Sequence, residues 1–256
     1  MPKLIIQNRR IGYGSNPVDF DASKTTLLFI HGSGGDREDW RAQIEELKMP
    51  GAVMALELPG HGKSDPPGED SVSMYAHWVE MFVEGLGLKS VIVMGCSLGS
   101  AITQWIALHP QPWLVAIGLI GSGARLRVYP PMLEGLLQEP AKELLTLADK
   151  CLSTSCPDSL RRSMREKYGK SDPLIIHGDL SACDHFDVMN SVHQISVPTL
   201  IVVGQEDVLT PVKYSRFLAD KIKRSNLVII PNSGHLVMME RPDDFNSTVQ
   251  QFVNGL

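Results

Sequence analysis

Residues 95–99 read Gly-Cys-Ser-Leu-Gly, directly after the apolar run VIVM and directly before AITQWIALH, whose spacing is helical. A serine on a tight turn from strand to helix takes strained backbone angles, and small flanking residues keep such a turn free of clashes. The N-terminus of the following helix directs partial positive charge at that serine, where negative charge develops during acyl transfer. Ser97 is therefore the candidate nucleophile. Its hydroxyl attacks poorly until a neighbouring base takes the proton, and the base works better when a carboxylate fixes its tautomer. His235 is the candidate base, because it follows a strand-like run in the turn-prone loop Pro231-Asn232-Ser233-Gly234, which leaves an imidazole at the edge of a cleft. For the carboxylate, the loop after LIVV offers two neighbours, Glu206 and Asp207, at the end of an expected strand where parallel sheets gather functional loops. A fourth segment, His31-Gly32-Ser33-Gly34-Gly35, also follows a strand-like run, and its glycines let backbone N–H groups face a cleft without side-chain obstruction.

The elements that must hold these loops alternate along the chain. Short β-branched or apolar runs bounded by Gly, Pro or Asp predict strands over Thr26 to His31, Ala52 to Glu57, Val91 to Gly95, Leu114 to Ile120, Thr199 to Val203 and Leu227 to Ile230. Amphipathic spacing predicts helices over Arg37 to Leu47, Val72 to Leu86, Leu98 to His109, Val212 to Lys223 and Pro242 to Val253. This is the pattern of βαβ units and a mostly parallel central sheet flanked by helices. From about Ala124 to Val192 the alternation stops, and helical runs such as Pro131 to Leu147 and Ser159 to Tyr168 take its place. The division expected is an α/β core from residues 1–123 and 193–256, with a helical cap insertion over residues 124–192.

Five segments in order, LLFIHGSGGDREDW, ALELPGHGKSD, VIVMGCSLGSA, PTLIVVGQEDVLTP and IIPNSGHLVMMERP, resemble the α/β-hydrolase superfamily, and the resemblance covers nearly the whole chain. It implies the α/β-hydrolase fold and a nucleophile, acid and base in the order Ser97, Asp207, His235. It favours Asp207 over Glu206, because Gly204, Asp207 and Pro211 fit the family's spacing. It also implies that the backbone N–H groups of Ser33 and Leu98 stabilise an oxyanion, with Gly34 as the alternative to Ser33. Two positions depart from a common version of the pattern: Ser100 stands for a frequent glycine and Glu57 for a frequent aspartate. His31 and His61, in HGSGG and PGHGKS, read as loop buttresses, and Cys96 as a space-filler beside the serine. In the group Asp36, Arg37, Asp39 and Trp40, Asp36 is expected to cap a helix and Trp40 to pack inward, with no catalytic role.

A chain of 256 residues with 43% hydrophobic composition is long enough for one large core. Its net charge of −5 leaves no electrostatic footprint for nucleic acid. No stretch approaches the roughly 18 uncharged apolar residues needed to span a bilayer, so no membrane partner is expected. MPKLIIQNRR lacks the pattern of a secretory signal, which makes a cytoplasmic protein the expectation. Cys96, Cys151, Cys156 and Cys183 form no CxxC pair and read as free thiols, and neither they nor the remaining histidines have metal-site spacing. The expected chemistry needs no metal or cofactor. It is hydrolysis of a small-to-medium ester in an apolar pocket under the cap, whose residues Met132, Leu133, Leu136, Leu137, Met164, Tyr168, Phe186 and Met189 are expected for the most part to pack its helices onto the core and in part to line that pocket. C–C bond hydrolysis and enol-lactone hydrolysis suit the same scaffold, and the alternative of another class is a non-catalytic binding protein that has kept the cavity.

Overall fold

The computed structural model describes residues 2–109 and 111–256. Among them an eight-stranded sheet runs in the order β1-β2-β4-β3-β5-β6-β7-β8. The strands are β1 (Lys3–Ile6), β2 (Arg9–Asn16), β3 (Thr26–Ile30), β4 (Val53–Leu56), β5 (Val91–Cys96), β6 (Leu114–Ile120), β7 (Thr199–Gly204) and β8 (Ser225–Ile230). From β4 to β8 all pairings are parallel, whereas β1–β2 and β2–β4 are antiparallel. Every residue of β3, β4, β5 and β7 is buried, because helices cover both faces of a parallel sheet and leave no side for polar alternation. That is why these strands stand out in the sequence as unbroken apolar runs.

The hairpin β1–β2 adds two strands to those expected. Its turn places Gln7 and Asn8 at positive φ, 48° and 63°, which matches the right-handed twist of the flanking strands. No Asn-Gly or Asp-Gly pair marks it in the sequence.

The helices are α1 (Arg41–Glu46), α2 (Val72–Gly85), α3 (Leu98–Leu108), α4 (Pro130–Gln138), α5 (Pro140–Lys150), α6 (Asp158–Tyr168), α7 (Pro173–His185), α8 (Val212–Lys221), α9 (Val237–Glu240) and α10 (Pro242–Asn254). The run expected over Arg37 to Leu47 is instead a 3₁₀ turn at Arg37–Trp40 followed by α1. Asp36 caps that turn through Glu38 N–H, and Trp40 is fully buried, stacked on Phe29 with ring centroids 4.5 Å apart. The run expected over Pro131 to Leu147 is two helices. Pro140 has no N–H to donate and pushes Glu139 out of helical geometry, to φ −132° and ψ 56°, so the chain breaks there. α4 to α7 all lie between β6 and β7, and α7 is additional to the helices expected. Among the described residues no helix is long and apolar enough to cross a membrane.

A buried polar joint fastens this helical excursion to the sheet. Asp179 of α7 is wholly inaccessible and accepts hydrogen bonds from Tyr75 Oη–H of α2 (2.6 Å) and from His61 Nε2–H (2.9 Å). His61 also donates from Nδ1 to Pro59 O (3.0 Å), so both of its nitrogens face acceptors and the ring is an imidazolium. Burial disfavours that charge, but the Asp179 carboxylate outweighs burial and the His61 pKa is raised. Its neighbour His31, with ring centroids 4.8 Å apart, is the opposite case. His31 Nε2 accepts from Leu58 N–H (3.0 Å), so the single proton sits on Nδ1 and goes to Gly32 O (2.8 Å). Burial, then the adjacent His61 charge, push the His31 pKa down to about 3.

These shifts act on stability with opposite sign. As pH falls through about 6.5, the unfolded chain protonates His31 while the folded chain refuses the proton, so this contribution is lost with falling pH. The contribution of His61 is complete below about 6.5 and is lost as pH rises through its raised pKa. Between about pH 8 and about pH 5.5, the urea midpoint of His61→Gln should fall and that of His31→Gln should rise, with wild type between them. Parallel slopes in the two variants would contradict the assigned protonation states.

Candidate active site

Ser97 lies between the last residue of β5 and the first of α3, with φ 55° and ψ −114°. A residue with a side chain adopts this geometry only where its surroundings hold it there. Ser97 N–H donates to Ile120 O (3.0 Å) at the end of β6, and Ser97 O accepts from the N–H groups of Ser100 (2.9 Å) and Ala101 (3.1 Å). The flanking glycines are steric necessities. A Cβ on Gly95 would lie 1.9 Å from Gly99 O, and one on Gly99 would lie 2.3 Å from Ile30 O. Ser100 is fully buried and donates to Ser122 Oγ, which also accepts from Gln104 Nε2–H (3.1 Å), so its hydroxyl is absorbed inside the fold.

His235 is nearly inaccessible, and its Nδ1–H donates to Asp207 Oδ2 (2.8 Å). This leaves Nε2 outside the bond to Asp207. The Asp207 carboxylate is filled by a local turn: Oδ1 accepts from the N–H groups of Leu209 (2.9 Å) and Thr210 (2.8 Å), and Oδ2 accepts from Thr210 Oγ1–H (2.7 Å). Burial raises the Asp207 pKa, but the neighbouring His235 and these donors more than offset it, so the net shift is downward and the group stays ionised. Glu206 is turned elsewhere. It is partly exposed and accepts from Thr154 N–H (3.0 Å) and Oγ1–H (2.7 Å). The loop carrying His235 is anchored from the helical excursion, because Cys151 O accepts the N–H groups of His235 (3.0 Å) and Leu236 (3.2 Å).

The glycine-rich turn after β3 comes up beside the serine, where a Cβ on Gly32 would lie 3.2 Å from Ser97 Cβ. Gly32 O accepts from His31 Nδ1–H and from Gly35 N–H (3.0 Å). A planar trans peptide then fixes the Ser33 N–H in the opposite direction. Leu98 opens α3, so its N–H has no intrahelical acceptor. Gly34 N–H, the alternative donor, is directed at Asp179 Oδ2 (3.4 Å).

Ser97, His235, Gly32 and Ser33 line one cavity of about 340 Å³. Cys96 also lines it, fully buried and with its thiol pushed well up by burial. Of the apolar residues expected over the site, Met132 and Tyr168 line the cavity. Leu136, Met164 and Phe186 are buried in the two cores on either face of the sheet, while Leu137 and Met189 are exposed. Leu126, Val128, Leu147, Leu180, Cys183, Leu209, Cys151 and Leu236 add to the apolar wall, and Arg127, Tyr129, Lys150 and Val208 are its exposed members. Sequence reasoning missed Thr210, whose backbone and hydroxyl both serve Asp207. The spacing Asp207-x-x-Thr210 after a strand was the available signal.

Residues 27–248 match the alpha/beta hydrolase family. The chain is 26% identical over 246 residues to the dihydrolipoyllysine-residue acetyltransferase component of an acetoin-cleaving system of Cupriavidus necator. That match takes in 90% of this chain but 64% of the relative, so the chain spans just under two thirds of that relative's length. A pimeloyl-[acyl-carrier protein] methyl ester esterase of Pectobacterium carotovorum is 24% identical, over 91% of this chain and 96% of the relative. A solved thermophilic esterase superposes with a TM-score of 0.87 at 32% identity, covering 99% of this chain and 97% of the other. With the match running from β3 into α10, this chain belongs to the α/β-hydrolase family.

Proposed function

We propose that the protein is a serine hydrolase acting on small-to-medium carboxylic esters with an apolar acyl part. The observation that carries this reading is the buried Asp207–His235 hydrogen bond of 2.8 Å, made by an imidazole that shares a cavity with Ser97 on its strained turn. Its likeness to an esterase at 32% identity supports the same class of reaction.

His235 Nε2 takes the Ser97 proton as Oγ attacks the ester carbonyl carbon. The carbonyl π electrons move onto oxygen, where the N–H groups of Ser33 and Leu98 stabilise the charge. Collapse breaks the bond to the alcohol, which leaves with the proton held by His235, and Ser97 is acylated. Water then attacks the acyl-enzyme with its proton passing to His235, and collapse returns that proton to Ser97 as the acid departs. Asp207 stays ionised throughout and stabilises the imidazolium. The Ser33 role is a backbone one, so its hydroxyl is dispensable. Residues 124–192 act as a cap that shapes the pocket and excludes water. Four free cysteines support the cytoplasmic reading.

A fluorophosphonate probe should label wild type at Ser97 and fail to label Ser97→Ala, with the modified peptide read by mass spectrometry. Labelling elsewhere, or none in folded protein, overturns the nucleophile. Saturable ligand binding that raises Tm without ester turnover would then favour a binding protein. Asp207→Asn should lower kcat by about 10⁴-fold, because the asparagine holds the wrong tautomer of His235. A loss under about tenfold would remove Asp207 from the mechanism. Across p-nitrophenyl esters of increasing acyl length, kcat/KM should peak at short-to-medium chains, and a maximum at long chains would contradict the substrate class.

A further inference from the structure

The oxyanion turn is held from two sides. On the sheet side, His31 and Gly35 fix the Gly32 carbonyl, as described above. On the other side, both polar atoms of the next peptide unit are held by the helical excursion. Ser33 O accepts from Tyr168 Oη–H (2.9 Å) at the end of α6, and Gly34 N–H donates to Asp179 Oδ2 (3.4 Å) in α7. Gly34 sits at φ 69°, and a Cβ there would lie 3.0 Å from both Ile176 Cδ1 and Tyr168 Cε1, so α6 and α7 close directly onto its backbone. Tyr168 and Asp179 are 3% and 0% exposed, and neither approaches the Asp207–His235 pair by hydrogen bond.

Resting on the serine-hydrolase reading, we infer that Tyr168 and Asp179 are positioning residues that set the Ser33–Gly34 peptide, and through it the Ser33 N–H, for the developing oxyanion. The Ser33 N–H belongs to the Gly32–Ser33 peptide, and the Ser33–Gly34 peptide that follows is what keeps the turn carrying it in place. The sheet fixes the first and the excursion fixes the second. Docking of the excursion and completion of the oxyanion site are then the same event, so a lifted cap leaves a serine and a histidine but an incomplete anion site. Burial raises the Tyr168 phenol far above working pH, which keeps it a donor to Ser33 O. His61 donates to the same Asp179 Oδ2 that faces Gly34 N–H and Tyr75 donates to Oδ1, so the carboxylate is held in place at the turn.

The test compares wild type with Tyr168→Phe and Asp179→Asn in the intact chain, using one medium-chain p-nitrophenyl ester and a trifluoromethyl ketone of matching chain. The ketone adds to an active serine and places an oxyanion where the transition state does. Tyr168→Phe keeps the ring in the cavity wall, so KM should stay within about threefold of wild type while kcat falls about 10- to 100-fold, less than for loss of a direct oxyanion donor. Affinity for the ketone should fall by the same factor as kcat/KM, a proportionality that a general loss of packing does not produce. Val18→Ala, exposed and not among the residues lining the cavity, should change neither quantity. A Tyr168→Phe variant with kcat within about twofold of wild type overturns the proposal, and so does a fall in kcat that leaves ketone affinity unchanged. If Asp179→Asn does not fold, Tyr168→Phe decides the matter alone. Failure of the underlying reading looks different, since wild type itself would then neither turn over the ester nor bind the ketone.

Discussion

The backbone at Ser97 cannot be relaxed without moving three strands. Its left-handed geometry needs Gly95 and Gly99 bare, because the carbonyls of Gly99 and Ile30 occupy the space that Cβ atoms there would need. The turn is braced by the end of β6 through the bond from Ser97 N–H to Ile120 O, and it faces the end of β3 across the sheet. β5 lies between β3 and β6, so the glycine-rich turn on one side and Gly121 on the other are brought to the same edge. Gly121, at φ 52°, lies beneath His235, where a Cβ would come within 2.9 Å of Nδ1. The strained serine, the oxyanion turn and the imidazole thus share one packing problem, solved with glycines from three strand ends.

Two carboxylate–imidazole pairs, both buried, illustrate how environment divides structure from chemistry. His61 gives both of its N–H groups to protein acceptors and is held as a cation beside Asp179, with no lone pair left to accept a proton. His235 gives one N–H to Asp207 and lines the same cavity as Ser97. Removing either His61 or Asp179 leaves an unpaired buried charge, at a cost of about 3–5 kcal/mol. In the proposed mechanism only the second pair cycles a proton. On that proposal the same two residue types serve as a joint in one place and as an acid–base couple in the other.

What was legible in the sequence was local. Five residues with glycines at fixed offsets mark the Ser97 turn, and fully buried strands announce the sheet. Asp207 and Glu206 could not be separated on the residues alone, because both sit in one turn. The choice is made by side-chain direction, as Asp207 folds back on Leu209 and Thr210 while Glu206 reaches Thr154. α7 escaped the periodicity reading because Asp179 lies buried on it among Ile176, Leu180 and Cys183, so no polar stripe separates from an apolar one. The contacts of Tyr168 and Asp179 with the turn span 135 and 145 residues of chain, and no spacing rule reaches that far. The β1–β2 hairpin was hidden for a different reason, since its turn uses Gln7 and Asn8 without glycine.

The carbonyl of Cys151, which accepts the N–H groups of both His235 and Leu236, bears on how such a scaffold diversifies. Exchanging residues 124–192 for the equivalent stretch of another family member would look like a change of pocket lining. It would also remove the hook that holds the histidine loop and replace the two side chains that grip the Ser33–Gly34 peptide. A graft that lacks a carbonyl, a phenol and a carboxylate at those three points would inherit a new pocket with the old catalytic groups out of register. On the proposed mechanism, pocket lining and catalytic register are then set by the same stretch of chain, and the viable exchanges are those that preserve three contacts rather than a volume.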